Sequence, residues 1–188
     1  MENVKKRVAL TFDDGPHPEN TQKILKILEK YDVKATFFQI GKLVDEFPTI
    51  TKEVFANGHE IASHTWNHPD LSILEDHLVE EEISTTQRTI KTVIGEAPVH
   101  FRPPYGYTNE SVKEIARELG ETEVLWTVDT LDWKSRDPEA ILQIVKEEVR
   151  NQSIILMHDI HPTTVEAVEP VIKFLHDEGY EMVTLREL

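Results

Sequence analysis

The feature that most restricts how this chain can fold is an alternation of two hydrophobic periods along nearly its whole length. Short runs rich in β-branched and aromatic residues occur at Val8–Phe12, Ala35–Ile40, Glu60–Ser63, Val99–Arg102, Val124–Asp129, Ile154–His158 and Met182–Leu185. Between them lie longer stretches with apolar residues at helical spacing, such as Ile24, Leu25, Ile27, Leu28 and Tyr31. About seven strands separated by helices predict a mainly parallel sheet with the helices outside it. No dinucleotide-type glycine-rich turn is present, which favours a closed or nearly closed barrel over an open doubly wound sheet. Eight full units take about 250 residues, and this chain has 188. The expected fold is therefore a distorted, incomplete (β/α) barrel of about seven parallel strands, made by residues 1–188 as a single domain.

Local signals mark the helix ends. Asn20 is expected to cap one helix, and Asn109 another that stops at Gly120. Asp137 followed by Pro138 predicts a third start, and the acidic stretch between Glu75 and Gly95 reads as helical. Pro170 lies inside the last helical pattern, which predicts a helix starting later than Thr164.

Charge and composition exclude several roles. A net charge of -15 disfavours nucleic-acid binding and docking on an anionic membrane. With no cysteines, disulfides and thiolate chemistry are excluded. Residues 1–12 lack the apolar stretch of a signal peptide, and no apolar run reaches membrane-spanning length. As it stands the chain reads as cytoplasmic, or as a secreted or cell-wall domain whose leader has been removed. No membrane insertion and a monomeric state are expected.

The unusual polar residues gather just after the predicted strands: Thr11-Phe12-Asp13-Asp14-Gly15-Pro16, Ser63-His64-Thr65-Trp66-Asn67-His68, Arg102-Pro103-Pro104-Tyr105-Gly106, Asp129-Thr130-Leu131-Asp132-Trp133 and Leu156-Met157-His158-Asp159. In a parallel barrel the C-terminal strand ends share one rim, so these five segments should meet in space. The four-residue spacing of His64 and His68 places both imidazoles on one side of a helical turn, where they could share a metal ion. Asp14 would add a carboxylate and leave positions open for water and substrate. Two histidines and a carboxylate serve hydrolytic zinc and also non-haem iron oxygenases, and spacing does not separate the two.

Each of these residues also has a plain structural reading. Asp13-Asp14 before Gly-Pro is ordinary turn chemistry. A glycosidase pair is harder to build from them, because neighbouring strand residues point to opposite faces. Arg102, stiffened by two prolines, is either a surface arginine or a guanidinium that orients a carboxylate and keeps it ionised. Trp133 and Leu156 read equally as core. His158, ending the apolar run Ile154–Met157, is a natural acid at the rim.

Together the five blocks, in order across residues 11–159, resemble the signature motifs of the polysaccharide deacetylase family, which includes chitin, peptidoglycan and chitooligosaccharide deacetylases and some acetylxylan esterases. The resemblance implies an irregular (β/α) barrel and a metal-dependent removal of acetyl groups from N-acetylated glycans. It assigns Asp13 as the base, and Asp14, His64 and His68 as ligands of one divalent metal, usually zinc, with cobalt, manganese or nickel as alternatives. Arg102 would hold the base, and Tyr105 would offer a backbone N–H to the oxyanion. Trp133 and Leu156 would wall the acetyl methyl, His158 would be the acid and Asp132 its tuning carboxylate. Three other readings stay open: an O-acetyl esterase on xylan, a non-catalytic sugar-binding relative, and an iron oxygenase, which would leave Asp13, Arg102 and His158 without a task.

Overall fold

The computed structural model describes residues 5–188. Its sheet contains β1 (Lys6–Asp13), β2 (Thr36–Gln39), β3 (Glu60–Ser63), β4 (His100–Phe101), β5 (Thr122–Glu123), β6 (Val128–Asp129), β7 (Ser153–His158) and β8 (Tyr180–Met182). The helices are α1 (Asn20–Lys30), α2 (Gly41–Glu46), α3 (Pro48–Ala56), α4 (Asp76–Ile94), α5 (Glu110–Glu118), α6 (Asp132–Ser135), α7 (Pro138–Glu148) and α8 (Pro162–Asp177). All strand pairs are parallel, in the order β5-β4-β3-β2-β1-β7-β6, with β8 also beside β1.

The barrel is incomplete because β5 and β6, the two ends of that path, do not pair. The expected strand Val124–Asp129 is interrupted at its start for a physical reason: the carbonyls of Val124 and Leu125 accept from Arg102 Nε (3.1 Å) and Nη2 (2.7 Å). A guanidinium therefore occupies acceptors that a strand neighbour would have used. The run thus contributes β6 alone, and β5 precedes it.

From Val8 onward β1 is buried, as a central parallel strand covered on both faces should be. Phe12 stacks on Phe37 with ring centroids 5.1 Å apart, within a core that includes Leu10, Ile24, Leu28, Ile155 and Val168. Burying one such side chain contributes about 1.5–3 kcal/mol. A second cluster, including Leu71, Ile83, Phe101 and Val112, joins α4 and α5 to the sheet.

Most helix signals act as expected. Asn109 accepts from Val112 N at 3.0 Å, Asp137 accepts from Glu139 N at 3.0 Å, and Gly95 ends α4 with φ +84°. Two expectations fail. Asn20 does not cap α1: His17 Nδ1 accepts from the N–H groups of Glu19 (3.2 Å) and Asn20 (3.1 Å), which frees the Asn20 amide to donate to the Ile160 carbonyl at 3.0 Å. The last helix begins at Pro162, before Thr164, and carries Pro170 inside it. Pro170 is solvent-exposed, so water can satisfy the carbonyl it leaves unpaired, while Val168, Val171, Ile172 and Leu175 stay buried. No helix among the described residues is long and apolar enough to cross a membrane.

Candidate metal centre and active site

Strand register brings the polar segments together. Asp13 is paired with His158 between β1 and β7, and Thr11 with Leu156. Asp129 on β6 is also level with Leu156, and Ser63, just before His64, is level with Phe101, just before Arg102. Parallel partners in register point their side chains the same way, so one rim receives all five segments. They enclose a cavity of 330 Å3. Asp13, Asp14, His64 and His68 line one part of it; Tyr105, Trp133, Leu156 and His158 are among the residues that line the rest. Arg102 and Asp132 stand behind this lining, both fully buried.

Asp14 Oδ1 lies 3.2 Å from His64 Nε2 and 3.1 Å from His68 Nε2. His64 Nδ1 is 2.7 Å from the Arg102 carbonyl, which can only accept, so Nδ1 carries a proton and Nε2 is the ring atom turned toward Asp14. Burial opposes ionisation of Asp14, but the two imidazoles outweigh it and hold its carboxyl far below the usual range. Oδ1 is nevertheless buried without a hydrogen bond of acceptable geometry. A tetrahedral centre with bonds of about 2.0–2.1 Å separates its ligand atoms by about 3.3 Å, close to both measured distances. These three side chains form the group that could hold a metal ion among the described residues. The expected helical turn from His64 to His68 does not occur: the segment is a loop in which Thr65 (φ +67°) and His68 (φ +61°) are left-handed.

Asp13 is almost wholly buried. Its Oδ1 accepts from Arg102 Nη1 at 2.8 Å, and its Oδ2 lies 3.7 Å from His64 Nε2. The guanidinium is locked in turn: Nη1 also donates to Thr11 Oγ1 at 2.8 Å, and its centre lies 4.0 Å from the Phe38 ring. This arrangement fixes the direction of the free oxygen of Asp13.

His158 Nδ1 is 2.8 Å from Asp132 Oδ1, which leaves Nε2 toward the cavity. Asp132 also accepts from the Thr164 hydroxyl (2.7 Å) and the Trp133 N–H (2.8 Å). Burial works against the imidazolium, but Asp132 outweighs it and His158 is pushed up to about 9.

Three lining residues received no role in the sequence reading: Tyr107, Trp126 and Asp129, the last of which heads one of the five polar segments. Tyr107 follows two residues after Tyr105 in the same proline-stiffened loop, and Tyr105 itself is left-handed at φ +63°. A second omission lies beneath the Asp13-Asp14 turn. Buried Asp159 accepts from Thr21 Oγ1 at 2.6 Å, and that hydroxyl accepts from the His17 N–H at 2.8 Å. The carboxyl fills the space where Gly15 would carry a Cβ, so only glycine fits there.

A family model described as polysaccharide deacetylase matches residues 1–124. The chain belongs to the polysaccharide deacetylase family. Over 98% of its length it is 40% identical to the peptidoglycan-N-acetylglucosamine deacetylase PgdA of Listeria monocytogenes, and it spans 39% of that protein. It is 38% identical to a chitooligosaccharide deacetylase of Sinorhizobium fredii, covering 92% of this chain and 87% of that one. The crystal structure of a CE4 family pseudoenzyme from Bacillus anthracis superimposes with a TM-score of 0.94 at 34% identity, covering 98% of this chain and 66% of that one. Polysaccharide deacetylase architecture is thus shared by enzymes and a pseudoenzyme, and individual side chains must distinguish them.

Proposed function

We propose that this chain is a metal-dependent deacetylase that removes N-acetyl groups from N-acetylglucosamine-containing glycans and releases acetate. One observation carries the reading. Asp13 and His158, level with each other on adjacent strands, are a carboxylate held by Arg102 and an imidazole held by Asp132, and they flank the Asp14–His64–His68 group. Base, acid and metal donors thus share one cavity.

A bound divalent cation, for which zinc suits two imidazoles and a carboxylate, would polarise the acetyl carbonyl and acidify water beside it. Asp13, aimed by its contact with Arg102, takes the proton of the attacking water. His158 delivers a proton from Nε2 to the departing nitrogen, since an amine leaves poorly without one. The backbone N–H of Tyr105 donates to the carbonyl oxygen as charge develops on it. Leu156 and Trp133 bound the space for the acetyl methyl. The product is a free amine on an intact glycan chain.

The names of the relatives support peptidoglycan or chitooligosaccharide as substrate. The test is acetate release from chitooligosaccharides, peptidoglycan fragments and acetylxylan, with mass spectrometry of each product. Products lighter by whole acetyl units, at unchanged chain length, are expected from the N-acetylated glycans. Shortened oligomers without acetate would indicate a glycosidase, acetate from xylan alone an O-acetyl esterase, and no product at all a non-catalytic relative.

A further inference from the structure

The two histidines of the metal group are held very differently. His64 directly follows β3; its N–H donates to the Gln39 carbonyl at 3.0 Å and its Nδ1 is tied to Arg102. His68 sits in the loop beyond, partly exposed, with no hydrogen bond to its Nδ1 among the described residues. Its ring packs edge-on against Tyr105 at 4.7 Å between centroids. The position of His68 Nε2 therefore depends on the backbone of residues 65–68.

That backbone is strained. Left-handed conformations at non-glycine residues cost about 1–3 kcal/mol each, and the loop has two, at Thr65 and His68. For a β-branched threonine this is a marked outlier. Something outside the loop must compensate.

Glu82, on α4, does so. Its Oε2 accepts from the consecutive N–H groups of Trp66 (2.8 Å) and Asn67 (2.9 Å), and its Oε1 lies 3.5 Å from the Asn67 side-chain amide. Successive N–H groups after a left-handed residue form a concavity suited to an anion, and here the anion is the chain's own carboxylate. The loop's carbonyls are held from the other side: Thr65 O accepts from Gly41 N at 2.9 Å and Trp66 O from Lys42 N at 3.3 Å. Gly41 is required for that approach, because a Cβ there would lie 2.6 Å from both the Trp66 ring and Thr86 Oγ1. Within the loop, His68 N donates to Thr65 Oγ1 at 3.1 Å.

We infer that Glu82 is a positioning residue for the metal centre: by seating the Trp66 and Asn67 N–H groups it holds His68 where its Nε2 meets Asp14. The inference rests on the reading of Asp14, His64 and His68 as metal ligands. Glu82 touches none of the three and acts through the loop alone. In the sequence it is one of three successive glutamates, Glu80–Glu82, in a helix rich in acids, where a solvated role is the ordinary one.

Removing an outer partner of a metal ligand typically weakens metal affinity by about 10–100-fold. Glu82→Ala should therefore weaken zinc binding by about that factor, measured by competition with a chromophoric chelator on protein whose fold is verified by circular dichroism. Glu82→Gln keeps an acceptor but loses the charge, and should fall between the two. Glu81→Ala, on the exposed neighbour, should match wild type. Activity of Glu82→Ala should recover with excess zinc and collapse when zinc is limiting. If the alanine variant does not fold, the glutamine variant decides. Zinc affinity in the folded Glu82 variants within about twofold of wild type, against that 10–100-fold expectation, would overturn the inference. Wild-type protein that binds no zinc would overturn the metal reading itself.

Discussion

Asp132 grips His158 at two points: Oδ1 meets the imidazole Nδ1 at 2.8 Å, and Oδ2 accepts the backbone N–H of the same residue at 2.7 Å. The backbone contact anchors the carboxylate, and the imidazole can neither swing away nor change its tautomer without breaking the Nδ1 contact. As its pKa is raised to about 9, the acid form persists through neutrality. Asp132→Asn should move the alkaline limb of the pH–rate profile toward the ordinary histidine range. His158→Ala should cut N-deacetylation by about 10²–10⁴-fold, but hydrolysis of an activated acetate ester far less, because its leaving group departs unaided. Equal losses on both substrates would return His158 to a structural role. The same raised pKa makes the pair's contribution to stability complete below the unfolded value of 6.5 and lost as pH rises through about 9.

Metal removal tests the orphaned oxygen of Asp14. Exhaustive chelation should abolish deacetylation while circular dichroism shows the fold retained, since the core lies apart from the three donors. Zinc or cobalt should restore turnover. Full activity in protein shown by elemental analysis to be metal-free would sink the proposal.

Asp13 and Asp14 should fail in different ways. Asp13→Asn keeps the three donors and should retain metal while losing most turnover. Asp14→Ala removes the carboxylate that meets both Nε2 atoms and should lose metal. Equal metal loss in the two variants would contradict the division of labour.

Asp159 predicts a pH-dependent stability of its own. Burial pushes its carboxyl up to about 7 from 3.8. The folded state therefore binds a proton that the unfolded chain releases. This contribution to stability is complete below pH 3.8 and lost as pH rises through about 7. Asp159→Asn cannot ionise, so it should flatten that slope and gain stability relative to wild type at pH 8. Urea melts at pH 5 and pH 8 provide the comparison. An unchanged slope in the variant would show that Asp159 is not its source.

Much of the molecule is legible in local sequence. Runs such as Val8–Phe12 and Ile154–His158 carry the strand signal in their own residues, and Asn109, Asp137 and Gly95 mark helix ends through bonds or backbone angles within a turn of themselves. All ten residues singled out for chemistry lie in or directly behind the cavity, because each lies near or just beyond the C-terminal end of a strand and parallel strands end on one rim. Local reading failed where another group, near or far in the chain, overrode it. His17 took the capping role from Asn20, Arg102 took the carbonyls of Val124 and Leu125, and core packing carried α8 through Pro170.

The sequence by itself determined the β/α order, the rim on which the polar segments gather and the side-chain types offered there, because these follow from short-range periodicity and residue chemistry. Tertiary structure alone decided how those groups are held. The register between β1 and β7 that sets Asp13 beside His158, the left-handed loop that swings His68 onto Asp14, and the carboxylates of Glu82 and Asp159 beneath two active-site loops all join residues far apart in the chain. Hydrogen bonds and packing across such separations exist only once the sheet has closed around them, and no pattern in one segment encodes the partner that another will supply.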